Sequence, residues 1–217
     1  MPEYHNIEAY ADLGKHSLLD VKNNIAQILT EMGCEQKVLA EWLEAIQKWE
    51  HAEDGVVYSG SNGPRMSFLF SGNTFDVRFV VLGWTPETFP ELNNDWLAFE
   101  LLFETDKIDD SLDPKLIRYK QEAQPVIWYL LKLFAQYFPD LGVFFTDEYQ
   151  DGRAWSGLTK NASEKYWDFE AAIIQVPIQD KYIPVANGYF SQISHGQLWL
   201  ARKSSWETPP WQYDVEN

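Results

Sequence analysis

From Ser17 to Met32 the apolar residues Leu18, Val21, Ile25, Ile28 and Met32 recur at spacings of three and four, the period of one helix face. Ser17 suits an N-cap, Asp20 stands three residues on where a carboxylate complements the helix N-terminus, and Gly33 is a natural stop. A second helix is predicted from about Glu35 to His51, with Leu39, Trp42, Ile46 and Trp49 on one face. The short connection makes the two helices an antiparallel hairpin. Their apolar seams are expected to pack on each other or on a sheet.

After the glycine-rich loop Ala52 to Pro64 the period changes from 3.6 to 2. Met66, Phe68 and Phe70 alternate, as do Phe75, Val77, Phe79 and Val81, and Ser71-Gly72-Asn73-Thr74 between them predicts a β-hairpin turn. Thr85 to Asn94, with two prolines, reads as a loop, and Trp96 to Glu104 as a strand. Asp113-Pro114 has the form of a helix start, and Pro125 opens another helix with Ile127, Leu130, Phe134 and Tyr137 on one face. The remainder predicts short strands at Val143–Thr146, Ala171–Val176, Tyr182–Val185, Tyr189–Ile193 and Gln197–Ala201, then an irregular tail rich in Pro and Trp. With no repeat and no linker, the pattern predicts a single α+β domain over residues 1–217. Its order is an N-terminal helical hairpin, then a mainly antiparallel sheet interrupted by a helical segment.

Charge changes the picture. The chain holds 33 acidic and 17 basic residues, a net charge of -16, of which -11 falls on residues 1–105 and -5 on residues 106–217. A field of that sign disfavours nucleic acid and anionic membrane, which need Lys and Arg, and favours cationic partners. The window from Phe79 to Asp106 contains Glu87, Glu91, Asp95, Glu100, Glu104 and Asp106 with no Lys or Arg, interleaved with Trp84, Phe89 and Trp96. Acidic and aromatic side chains together suit a surface that holds a basic protein. Trp84, Glu87, Glu91, Asp95, Asp109 and Asp110 are the candidate contact residues, on one continuous patch. The start of the chain shows no secretory signal, and no apolar run reaches membrane-spanning length, so a cytoplasmic protein is expected.

The motifs for chemistry are weak. There is no P-loop and no Gly-x-Gly-x-x-Gly, and Gly60-Ser61-Asn62-Gly63 lacks the nucleophile-elbow spacing. His51-Ala52-Glu53 has the His-x-Glu form of zinc deaminases, but a chain with Cys34 alone cannot supply their cysteine pair. Ser194-His195-Gly196 reads as a turn between strands, and a solitary cysteine is more often packed than nucleophilic. No catalytic residue, metal ligand or cofactor is assigned. The function expected is an acidic module that holds or neutralises a basic protein, an immunity protein for a basic toxin being the concrete form. One alternative is a carboxylate hydrolase acting on a glycan, with Asp151 and Asp168 beside Trp155, Tyr166 and Trp167. The other is an assembly protein whose charge serves solubility alone.

Overall fold

A computed structural model describes residues 4–46, 50–51, 57–58, 65–110 and 118–213. The predicted helix start at Asp113-Pro114, Trp49, and most of the loop from Ala52 to Pro64 lie outside them. The α+β architecture holds: the described residues form one antiparallel sheet of ten strands with helices packed on it.

The first element is a strand, β1 (Tyr4–Asp12), and it precedes the helical hairpin. It lies mid-sheet, antiparallel to β6 (Trp96–Glu104) on one side and β7 (Gly142–Asp147) on the other. Helix α1 (Leu18–Glu31) begins with a full capping box: Ser17 Oγ accepts from Asp20 N–H, and the Asp20 carboxylate accepts from Ser17 N–H, both at 3.1 Å. Helix α2 (Gln36–Ile46) follows Gly33, whose φ of +81° a side chain would strain. Its Leu39, Trp42 and Ile46 are buried, and Trp42 packs on Phe79 and Phe99 at 6.2 Å each.

Beyond the short strands β2 (Glu50–His51) and β3 (Val57–Tyr58), β4 (Arg65–Phe70) and β5 (Asn73–Trp84) make the expected hairpin. Ser71 and Gly72 both have positive φ, at +49° and +83°, which matches the twist of a tight two-residue connection. After a single turn, α3 (Thr105–Ile108), helix α4 (Ala123–Tyr137) crosses the sheet. Pro125 stands in its first turn, where its missing N–H has no helical partner to lose.

The expected second helix does not reach His51, since Glu50 and His51 pair as strand β2 with β3. Three further departures from the expected elements have local causes. Helix α5 (Arg153–Lys160) was hidden by its length of 8 residues, a glycine N-cap and Gly157 within it. β8 (Ala171–Ile174) ends earlier than its apolar run, because a 3-10 helix takes over from Val176 to Tyr182. That helix also replaces the start of the strand expected at Tyr182–Val185. β9 (Tyr189–Ser194) and β10 (Gln197–Arg202) pair as predicted, and His195 and Gly196 form their turn.

Strand alternation divides the interior into two cores. Ile7, Ala9 and Ala11 of β1, with Phe79, Phe99 and Phe103, face α1, α2 and α4. Tyr10, Ala98, Phe144, Leu198 and Leu200 face the opposite way, under α5. The Trp-rich tail is stapled down: Trp206 is fully buried, and Trp211 packs against Trp128 and Trp199 on the helical side. Among the described residues no helix is long and apolar enough to cross a membrane.

Candidate partner-binding surfaces

The expected continuous patch separates along β6. Trp84, Glu87, Glu91 and Asp95 sit at the end where β5 leaves the sheet and β6 enters it, since Trp84 pairs with Trp96 and Trp96 with Asp12. Asp109 and Asp110 follow the other end, where Glu104 pairs with Tyr4. A nine-residue strand separates the groups by roughly 30 Å. Within the strand, Phe99 and Phe103 enter the helical core and Glu100 is buried on the opposite face, so the middle of the acidic window is interior.

At the first end, the loop of residues 85–95 is held from below. Phe89 N–H donates to Thr85 O at 2.9 Å, Leu92 N–H to Phe89 O at 2.9 Å, and Leu13 N–H to Asp95 O at 2.9 Å. Trp84 is the last residue of β5, half-buried, and stacks on Trp155 of α5 at 4.5 Å. Phe89 and Trp96 meet the same indole edge-on, and Tyr10 stacks beneath it at 5.5 Å. Glu87, Glu91 and Asp95 stand exposed above this aromatic footing, with Lys160 3.9 Å from Glu91.

The second end is a polar corner. His5 is fully buried, its Nε2 3.0 Å from Asp109 Oδ1 but too bent for a hydrogen bond. The ring stacks on Phe145 and meets Tyr119 edge-on, both at 5.6 Å. Asp110 donates its backbone N–H to Arg118 O at 2.7 Å and is exposed. Nearby, buried Glu170 accepts from Ser205 Oγ and from Gln150 Nε2 at 3.0 Å, with Arg202 Nε at 3.5 Å.

Between the ends lies a group that sequence reading missed. Glu8 and Glu100 are cross-strand partners on the face under α5, and both are buried. Glu8 accepts from Tyr10 OH at 2.5 Å, Thr146 Oγ1 at 2.6 Å and Gly152 N–H at 3.2 Å. Desolvation first, and the Asp151 charge second, raise Glu8 from 4.5 to about 8 despite those donors. The same two causes push Glu100 well above its ordinary range. Asp151 is solvent-exposed as a residue, but its carboxylate reaches in to Asn6 Nδ2 at 3.2 Å and is raised too, chiefly by desolvation. The only sequence signal was Glu8 at an inward position of an alternating segment; its partner depended on register.

The residues weighed for catalysis are engaged elsewhere. Cys34 is buried, and burial raises its thiol, the reverse of activation. Asp168 pairs with Arg153 at 3.0 Å, and Trp155 and Tyr166 are buried in the second core, not laid open as a platform for sugar. Among the described residues no group of three or more His, Cys, Asp or Glu is placed to hold a metal ion. A groove of about 280 Å³ on the second face, lined by Tyr4, Arg65, Asp76, Arg78 and Glu104, mixes both charges.

No family model and no curated protein matches the chain. Among solved structures the chain is similar to the Pseudomonas aeruginosa T6SS protein PA0821, with 10% identity and a TM-score of 0.34. The match covers 91% of this chain and 64% of that one, so the chain spans less than two thirds of its neighbour's length. A likeness this slight carries no argument about fold or function.

Proposed function

We propose that this protein is a cytoplasmic binding module that holds a basic protein partner, with the 85–95 loop as the surface that meets it first. The observation that carries this reading is three exposed carboxylates, Glu87, Glu91 and Asp95, on a loop already fixed by backbone hydrogen bonds and an aromatic footing. A loop ordered before binding loses little conformational freedom on contact, which is where flexible acidic segments lose affinity. The net charge of -16 extends the attraction beyond the loop. Asp109 and Asp110 belong to a separate acidic contact at the far end of β6, and Trp84 supports the surface from inside. Neutralisation of a basic toxin, as an immunity protein does, is the concrete form of this function.

The hydrolase alternative has one observation in its favour, the carboxylate pair Glu8 and Glu100 of raised affinity for protons. That pair is sealed, 0% and 3% exposed, with no room for a sugar between its members. Capture from the native lysate decides between binding and bystander charge. The unaltered chain should retain a basic protein that the Glu87→Lys/Glu91→Lys/Asp95→Lys variant loses. Equal retention by both, or none by either, would overturn the proposal.

A further inference from the structure

The sheet ends on β9, which has β10 on one side and no strand on the other among the described residues. An open edge offers its backbone N–H and C=O groups to any extended chain, and proteins blunt such edges with a charge, a proline or a bulge. β9 reads Tyr-Phe-Ser-Gln-Ile-Ser, without charge or proline, and its register with β10 runs unbroken from Tyr189 opposite Arg202 to Ser194 opposite Gln197. Ser191, Gln192 and Ile193 are exposed, Ile193 by 68%. Nothing within the strand defends this edge.

The turn fixes which backbone groups face outward. His195 and Gly196 have φ of +51° and +79°, the two-residue connection that closes on a hydrogen-bonded pair, here Ser194 with Gln197. Such pairs alternate along an antiparallel ladder. Phe190 and Gln192 therefore also bond to β10, while Tyr189, Ser191 and Ile193 turn their N–H and C=O groups to the open side. Tyr189 N–H is already given to Ala186 O at 3.0 Å. Among the described residues Ser191 and Ile193 keep four backbone groups without a partner, two donors and two acceptors.

We propose that this edge pairs with the same edge of a second copy of the chain, the two β9 strands running antiparallel about a two-fold axis at Gln192. In that register Ser191 of each copy exchanges both backbone bonds with Ile193 of the other, so every unpartnered group is used once. Centring the axis on Ser191 would set Ile193 against Tyr189, whose N–H is taken. Centring it on Ile193 would set Ser191 against His195, which lies outside the strand. Gln192 meets Gln192 across the axis, and a carboxamide carries both the donor and the acceptor that self-pairing needs. Charge selects a second copy over the basic partner. Residues 171–206 hold Asp180 as their one acid against Lys181, Arg202 and Lys203, a net +2 in a chain of -16, so two copies meet here with their acidic regions turned away. Each β6 lies five strand spacings from β9, which keeps the two acidic stretches roughly 50 Å apart, several Debye lengths at ordinary salt. The contact does not depend on the partner-binding function, and it presents that function twice.

A few backbone hydrogen bonds over little buried area make an interface of the weak class. Sedimentation equilibrium of the full chain, from micromolar to near-millimolar concentration, should show the mass rising from that of one chain toward that of two. Amide hydrogen exchange locates the contact. Ser191 and Ile193 should slow several-fold between the lowest and highest concentrations, while Phe190, Gln192 and Ser194, already bonded to β10, should not change. Ser191→Pro removes an outward N–H without touching the β10 ladder and should abolish dimerisation. Gln192→Lys should do the same by setting like charges face to face on the axis. A urea midpoint close to that of the unaltered chain shows which variant is folded. The mass of one chain at every concentration, or a dimer that persists in either folded variant, overturns the inference. So does protection that grows with concentration elsewhere and leaves Ser191 and Ile193 unchanged.

Discussion

The two ends of β6 carry the acids that looked continuous in sequence, and they are built in opposite ways. At the Trp96 end, exposed carboxylates ride on packed aromatic rings, and several backbone hydrogen bonds hold the loop. At the Glu104 end, polar groups are themselves buried, and several have no hydrogen-bond partner among the described residues. The first end is a finished surface whose charge acts through solvent. The second holds its polar groups largely out of solvent. On the proposed function, the exposed carboxylates of the first end govern encounter with the partner.

The largest expected effect comes from removing the footing of the first end. Trp155 is 3% exposed and meets Tyr10, Trp84, Phe89 and Trp96. Trp155→Ala should cost about 3–5 kcal/mol in urea unfolding. A loss under about 1 kcal/mol would mean the loop stands without its footing, and the contrast between the ends would fail.

A smaller effect should come from the carboxylates between them. Because the folded state raises Glu8 to about 8, it binds more protons than the unfolded chain between the ordinary carboxylate range and that value. Stability is therefore full below that range and falls as pH rises toward about 8. Glu8→Gln should flatten this decline, gaining on the unaltered protein at pH 8 relative to pH 5 in paired urea melts. A parallel pH profile for the two proteins would show that Glu8 is not the titrating group.

The smallest effect belongs to the second end. Tyr119→Phe removes a hydroxyl with no described partner and keeps the ring that packs on His5, Phe145 and Trp206. Stability should be unchanged or rise by up to about 1 kcal/mol, because no hydrogen bond is lost. A loss above about 1 kcal/mol would reveal that the hydroxyl is hydrogen-bonded in the folded protein.

Much of the fold could be read from local pattern. Ser17 and Asp20 announced α1, the β4–β5 hairpin declared itself by alternation around Ser71-Gly72, and Leu39, Trp42 and Ile46 are buried as their spacing implied. β1 escaped notice because a central strand covered on both faces is usually apolar throughout. Here one face reads Asn6, Glu8, Tyr10, Asp12 and the other His5, Ile7, Ala9, Ala11. The acidic residues of the candidate surface were legible as a composition, but their division was not. Whether Glu100 belongs with Glu91 or with Glu8 depends on which strand β6 pairs with, and nothing local to residues 79–106 encodes that.

The claim that the Trp96 end attracts the partner is tested most directly by stopped-flow association with the captured basic protein at low and moderate salt. Reversing Glu87, Glu91 and Asp95 to Lys should slow association at least about tenfold at low salt, and the difference should shrink as the Debye length falls from about 30 Å at 0.01 M to about 10 Å at 0.1 M. Asp110→Lys, at the other end, should act mainly by speeding dissociation. Association rates that respond equally to changes at both ends, or to neither, would contradict the account.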